Sequence, residues 1–242
     1  MANLPLIGGK LLIVDIRKWK HVFKLDPDRE ISDEHLDRIC LSGTDAIMVG
    51  GTTGVTFDNT VDLLARIRQY EVPCVLEISN RDAIVPGFDL FLIPVVLNSM
   101  DPDWILGHHH EAIKEYGAML NWDEIVPEGY IILNGEASAA KLTSAKTALD
   151  AKDAAAYARM ADKLFHMPIV YVEYSGIFGD MELVRRTQSV LEDARLFYGG
   201  GIDSLERARE AAEAADTIVV GNIIYSDLEQ ALQTVNLDRT GR

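Results

Sequence analysis

The sequence predicts an α/β fold of one kind, a modified (β/α)8 TIM barrel whose third helix is missing or replaced by a loop, formed as one domain over residues 1–242. Three observations predict it. The chain has 242 residues, 48% of them hydrophobic, which suffices for a large buried core and suits a barrel of this type. Short β-branched runs alternate with amphipathic segments, as parallel strands joined by helical crossovers do. Glycine and charged residues gather where those runs end, the place at which such a barrel carries its chemistry.

The runs, in order, are HVFKLD (21–26), DAIMVG (45–50), PCVLEIS (73–79), DLFLIPVV (89–96), GYIILN (129–134), PIVYVEYS (168–175), RLFYGG (195–200) and DTIVVGN (216–222). Each is almost continuously apolar, as expected of a strand covered on both faces. Helix starts are marked by Ser32 before DEHLDRICLSG, by Asp58 before NTVDLLARIRQY, and by Asp203 with Ser204 before LERAREAAEAA. One crossover breaks the pattern. Between Ser79 and Asp89 the chain reads SNRDAIVPGFD, with Pro86 and Gly87 inside it, too short and too broken for a packing helix. The resulting gap in the outer ring offers an elongated apolar ligand a path along the barrel wall. A plain loop filled by Ile84, Val85 and Phe88 would serve as well. An open doubly wound sheet is the alternative architecture, with fewer strands and a glycine fingerprint after the first.

Lys and Arg number 23 against 38 Asp and Glu, a formal charge of −15. That excludes nucleic acid as a partner and argues against electrostatic docking on anionic lipid. An anionic substrate would have to be held by local donors or a metal. Cys40 and Cys74 lie in apolar patterns and read as reduced core thiols. The run LLIVDI is too short to span a membrane, and the N-terminus lacks the marks of a signal peptide, so the sequence reads as cytoplasmic. The leading segment MANLPLIGGKLL precedes the first strand and reads as an extra strand at the barrel bottom or as residues outside the fold. Consecutive histidines 108–110 point in different directions on a helix and read as a solvated helix start.

The strand ends supply the candidate site. YGGGIDS and VVGNIIY follow the seventh and eighth runs, where barrels often bind phosphate on backbone N–H groups. Without a Cβ, Gly199, Gly200, Gly201 and Gly221 would let phosphate oxygens reach those donors, with Asn222 adjoining, or else they serve only tight strand-to-helix turns. Ser175 and Gly176 after the sixth run could add further donors. Lys24 and Asp26 alternate about Leu25 and so share a strand face. They read either as a rim ion pair or as an anion ligand and a Mg²⁺ ligand, with the Thr52 or Thr53 hydroxyl near the metal. Glu173, inward on the sixth strand, reads as a general base beside a phosphate-bound alcohol, or as that alcohol's hydrogen-bond anchor. An isomerase or aldolase of sugar phosphates, and a barrel that binds a phosphate metabolite without turnover, are the rival readings.

The segments HVFKLDPD, SGTDAIMVGG, PCVLEIS, AIVPGFDLFLIPVVLNS, YVEYSGIFGD, LFYGGGI and IVVGNIIY together resemble the bacterial PcrB members of the geranylgeranylglyceryl phosphate synthase family, from about Trp19 to about Val235. The resemblance implies a Mg²⁺-dependent prenyltransferase with a barrel lacking its third helix, working as a homodimer. Its substrates would be sn-glycerol 1-phosphate and a polyprenyl diphosphate. It would join the 3-hydroxyl of the former to a long chain, heptaprenyl (C35), with release of pyrophosphate, giving an ether lipid precursor for phospholipid biosynthesis. Peripheral membrane contact would follow from the lipophilic substrate. Carried over by position, Lys24, Tyr171, Val172, Glu173, Tyr174, Ser175, Gly176, Gly201, Gly221 and Asn222 bind glycerol phosphate. Glu173 receives the hydroxyl proton, and Asp26 and Thr52 bind Mg²⁺. Ala112, within GHHHEAIKEYG, falls where a bulky residue would block the prenyl groove, so its small side chain implies a chain longer than C20. Geranylgeranyl (C20) specificity is the alternative.

Overall fold

The computed structural model describes residues 6–7, 10–11 and 14–237. Eight parallel strands close into a barrel in chain order: β1 (His21–Leu25), β2 (Ala46–Val49), β3 (Cys74–Glu77), β4 (Leu90–Val96), β5 (Ile125–Ile132), β6 (Ile169–Glu173), β7 (Arg195–Gly199) and β8 (Thr217–Val220). Closure is made by β8 against β1, with Ile218 opposite His21 and Val220 opposite Phe23. Of the leading segment MANLPLIGGKLL, Leu6–Ile7 and Lys10–Leu11 form a short antiparallel pair, and the rest lies outside the described residues.

The strands run apolar throughout because both faces are covered. Alternate residues point inward, and Val22, Met48, Val75, Leu92, Tyr171 and Phe197 fill the barrel. Their neighbours Phe23, Ile47, Leu76, Val172, Leu196 and Ile218 point outward into a second core beneath the helices. Trp19, its ring 6.2 Å from that of Phe197, packs into the inner core just ahead of β1. Cys40 and Cys74 are buried free thiols. No described helix is long and apolar enough to cross a membrane.

The helices are α1 (Asp33–Cys40), α2 (Phe57–Ile67), α3 (Gly107–Tyr116), α4 (Ser138–Leu142), α5 (Ala151–Arg159), α6 (Met181–Gln188), α7 (Leu205–Ala214), α8 (Ile223–Ser226) and α9 (Leu228–Gln233). Ser32 caps α1 and Ser204 caps α7, as their positions in the sequence predict. The cap of α2 is Thr56 rather than Asp58: its side chain accepts from Asn59 N–H while the Asn59 side chain returns to Thr56 N–H. That reciprocal box satisfies two otherwise orphaned donors, which a lone aspartate does not.

Between β3 and β4 stands a loop with one short 3-10 turn, Arg81–Ala83, in place of a helix. Val85 and Phe88 are buried under it, and Arg68 ties it down by donating to the Gly87 carbonyl at 3.0 Å and to Asp89 at 2.9 Å. The next helix, α3, carries no buried residue. Outward-facing Ile93 on β4 is left partly exposed. The fifth strand begins four residues ahead of the expected Gly129, at Ile125. Pro127 lies within it opposite Ile93. A proline reads as a strand breaker in sequence, and here it hides the strand's first half.

Candidate active site

The C-terminal mouth of the barrel holds a cavity of about 520 Å³. Lys24, Asp26, Thr52, Tyr171, Glu173, Ser175, Gly176, Gly201, Gly221 and Asn222 all line it, so ten of the predicted site residues meet at one place. Strand parity explains the arrangement: residues 24 and 26, and residues 171 and 173, alternate onto the inner face.

The floor is a cluster of buried ionisable groups. Lys24 Nζ does not pair with Asp26, the rim pair that the sequence allows; it bridges to Glu77 on β3. Burial works against charge on Lys24, but Glu77 and then Glu173 outweigh it and hold the ammonium above its ordinary range. Glu173 Oε1 accepts from the Ser175 N–H, and Glu173 Oε2 accepts from the Tyr130 hydroxyl at 3.2 Å. Burial raises the Glu173 carboxyl, against the lowering effect of Lys24 and the Ser175 N–H. A raised carboxylate is a stronger base, which suits removal of a proton from an alcohol. Deeper on β5, Glu128 is wholly buried, and burial followed by the field of Glu77 pushes its carboxyl well up. Tyr130 stacks on Tyr171 with ring centroids 4.6 Å apart, and burial keeps both phenols neutral.

Three loops converge on the opposite wall: Ser175–Gly176 after β6, Gly199–Gly201 after β7, and Gly221–Asn222 after β8. The three consecutive glycines are also required by packing within the chain. A Cβ at Gly199 would collide with the Tyr171 hydroxyl, one at Gly200 would meet Tyr174 Cβ at 2.5 Å, and one at Gly201 would collide with the backbone of Ile177 and Phe178. The neighbours of those glycines are Tyr171 and Glu173 of β6 and the loop that follows them, packed against the turn. Gly221 differs, because a Cβ there would meet only Lys24, at the ordinary contact distances of 3.5 Å to its carbonyl oxygen and 3.9 Å to its Cβ. Gly176 is as open, its Cβ coming no nearer than 3.6 Å to Asn222 Nδ2, so the wall is least crowded at these two glycines.

On the third side, Asp26 sits above the β1 end with Oδ1 accepting from Asp28 N–H at 3.0 Å. Burial raises the Asp26 carboxyl, partly offset by that N–H. Gly51 makes room for it: a Cβ at 51 would collide with the Asp26 carboxylate. Thr52 adjoins on the same wall. Among the described residues no group of three or more His, Cys, Asp or Glu side chains could hold a metal ion. Mg²⁺ does not require such a group, since it keeps several waters and takes one or two carboxylates with substrate phosphate oxygens. A single half-buried aspartate with a neighbouring hydroxyl fits that demand.

Two residues carried over by resemblance bring no side chain to the cavity. Val172 and Tyr174 point outward into the core beneath the helices, so only their backbone could serve the site. Asn98, at another strand end, is spent on structure, donating to the Ile132 carbonyl at 2.7 Å. Sequence reasoning missed Arg29 and Arg207 at the rim. The Arg29 guanidinium lies 3.7 Å from the Tyr225 ring centroid and donates to Asn222 Oδ1 at 3.3 Å. Arg207 donates to Asp203 at 2.6 Å and to the Gly201 carbonyl at 3.3 Å. Ala112 shares a face of α3 with His109, one turn earlier, whose Nε2 donates to the Pro94 carbonyl of β4 at 3.1 Å. That face looks onto the barrel wall beside the missing helix.

Fold and site together define a (β/α)8 barrel with an interrupted helical ring and its polar groups collected at the C-terminal mouth. The chain belongs to the PcrB family, whose model matches residues 14–238. It is 60% identical over 221 residues to the heptaprenylglyceryl phosphate synthase of Bacillus cytotoxicus, covering 91% of this chain and 96% of that one. The heptaprenylglyceryl phosphate synthase of Geobacillus kaustophilus is 58% identical, with 91% and 92% covered. Among solved structures, the (S)-3-O-geranylgeranylglyceryl phosphate synthase of Thermoplasma acidophilum in complex with its substrate sn-glycerol-1-phosphate matches with a TM-score of 0.78 at 27% identity. That match covers 90% of this chain and 94% of the other.

Proposed function

We propose that this chain joins a heptaprenyl (C35) group to the 3-hydroxyl of sn-glycerol 1-phosphate, as the names of its relatives suggest. The observation that carries the reading is the meeting, around one cavity, of a charged lysine, a raised buried carboxylate, three loops rich in backbone donors and an aspartate beside a hydroxyl. Gly221, Gly201 and Gly176 N–H groups with Asn222 hold the phosphate, and Lys24 neutralises part of its charge. The glycerol is thereby fixed with its hydroxyl toward Glu173. As C1 of the prenyl chain parts from its diphosphate oxygen, the bonding pair leaves with the diphosphate and the allylic carbon gains cationic character. The hydroxyl oxygen bonds to C1, and its proton passes to Glu173 Oε2. Asp26 and Thr52 would hold Mg²⁺, which when bound neutralises charge growing on the leaving diphosphate. Arg29 and Arg207 add positive charge at the rim of a chain that is otherwise strongly acidic.

The prenyl tail leaves the mouth through the gap beside β3 and β4, along Ile93 and the Ala112 face of α3. A homodimer in the cytoplasm, in passing contact with membrane through its lipid substrate, belongs to the same reading, and sedimentation velocity checks the dimer. The deciding experiment is turnover with labelled sn-glycerol 1-phosphate and C20, C30 and C35 diphosphates, with and without chelator. Preference for C35 that chelation abolishes is the expected result. Product with none of the three would leave a barrel that binds phosphate without turnover.

A further inference from the structure

The Lys24–Glu77 bridge takes no direct part in the chemistry above, yet it is built with some care. Lys24 leaves β1 and Glu77 leaves β3, so the bridge crosses the end of β2. Gly50, just past β2, lies under the crossing. A Cβ at Gly50 would stand 3.1 Å from both the Cβ and the carbonyl oxygen of Glu77, and 3.3 Å from Glu77 Oε2. A side chain on the middle strand would crowd Glu77 by a few tenths of an ångström, so glycine there gives the bridge its room.

As a stabilising device the bridge is poor. Glu77 Oε1 is buried without a partner, and both oxygens of Glu128 are buried likewise. Apolar residues of equal volume commonly stabilise a barrel interior as well or better. What the bridge does fix is position. An ammonium has three donors, and Glu77 takes one. The Tyr171 ring stands 5.9 Å from the charge on another side. Lys24 itself lines the cavity, its side chain 20% exposed against 7% for Glu77, so the lysine reaches the cavity while held by a more deeply buried carboxylate.

We propose that Glu77 is a positioning residue for the transfer reaction: reaching over Gly50, its carboxylate holds the Lys24 ammonium at the cavity floor, directed at the phosphate of the glycerol substrate. The inference rests on the proposed reading of Lys24 as a phosphate ligand. It makes a prediction opposite in sign to simple electrostatics. A carboxylate that merely neighbours an anion site repels the anion, so its removal tightens binding. A carboxylate that aims the lysine weakens binding when it is lost.

Titration calorimetry of sn-glycerol 1-phosphate with wild type, Glu77→Met, Glu77→Gln, Gly50→Ala and Lys24→Met separates these outcomes. Glu77→Met keeps the length and removes the acceptor, and Gly50→Ala keeps every charge and shifts Glu77 by a few tenths of an ångström. Glu77→Met should raise Kd roughly tenfold or more, the weight of one charge-assisted hydrogen bond, and Gly50→Ala should raise it by a few-fold. Glu77→Gln, whose amide oxygen still accepts, should fall between Glu77→Met and wild type. At saturating glycerol phosphate, kcat should stay within a few-fold, so the loss appears in KM. Thermal melts identify a variant that fails to fold, and Gly50→Ala carries the test if Glu77→Met does. Unchanged or tighter binding in Glu77→Met or Gly50→Ala, with binding lost in Lys24→Met, overturns the positioning role alone. Wild-type binding by Lys24→Met overturns the phosphate reading of Lys24, and this inference with it.

Discussion

Gly199 leaves the space in which the Tyr171 hydroxyl lies, and a Cβ there would also come within 2.9 Å of Glu173 Oε2. The ladder sets the two strands side by side, with Glu173 opposite Gly199 and Tyr171 opposite Phe197. Glycine on β7 and the proposed base on β6 are therefore one geometric unit. Gly199→Ala should push both side chains toward the cavity and lower kcat by about 10²-fold, the usual cost of a misplaced reacting group. Steady-state turnover measures it, and near-wild-type kcat would mean that the position of Glu173 is not critical.

The acid limb of the rate profile follows from Glu173. Burial raises its carboxyl in the folded protein, so the base is lost by protonation as pH falls through a value above the ordinary carboxylate range. The profile of kcat/KM against pH should show that displaced limb. Glu173→Gln should lower kcat by about 10²- to 10⁴-fold and flatten the limb. A limb that survives the substitution would belong to another group.

Ala112 faces the barrel wall one turn beyond His109, beside the gap left by the missing helix. Ala112→Trp should shut the path for long chains and leave short ones. In competition between C20 and C35 diphosphates, the C35:C20 ratio of kcat/KM should drop by about tenfold or more, the effect of a steric clash worth 1.4 kcal/mol or above. A preference that does not move places the chain-length ruler elsewhere.

Glu128 costs the fold stability. Its carboxyl is fully buried, unpartnered and raised well above the ordinary range, first by burial and then by Glu77. In the pH range between the ordinary carboxylate value and that raised one, the folded chain keeps a proton that the unfolded chain releases. Stability contributed by this group therefore falls as pH rises through that range. Glu128→Met should stabilise the protein by about 1–3 kcal/mol, more at pH 8 than at pH 5. Urea unfolding at the two pH values checks both the gain and its direction.

The barrel was legible because parallel strands covered on both faces leave continuous apolar runs, and the broken crossover at Pro86–Gly87 was legible because no helix tolerates it. The inner carboxylates were less so. Pro127 masks the first half of β5, and Glu128 lies just behind it, outside the strand that pattern alone draws. The partner of Lys24 could not be read from strand parity, since Glu77 sits two strands away and meets the lysine only across a glycine in the closed barrel. Arg29 and Arg207 lie on segments whose side-chain direction depends on tertiary contacts with Tyr225, Asn222 and Asp203. The run of three glycines is legible as a close approach, whereas the packing of Tyr171, Tyr174 and Ile177 against it is not. Sequence marks the need for space at a backbone and is silent on what fills it.

The seam between β8 and β1 carries a consequence for how the molecule comes into being. Strands that are neighbours in space there are almost 200 residues apart in the chain, as in the pairing of Val219 with Val22. Contacts of such separation form late, because the closure entropy of the whole loop must be met first. Until Val220 is made, the strand that carries Lys24 lacks one of its two neighbours. Gly221 cannot be brought beside Lys24 before then, so the sealed core and the assembled site depend on the same late pairing.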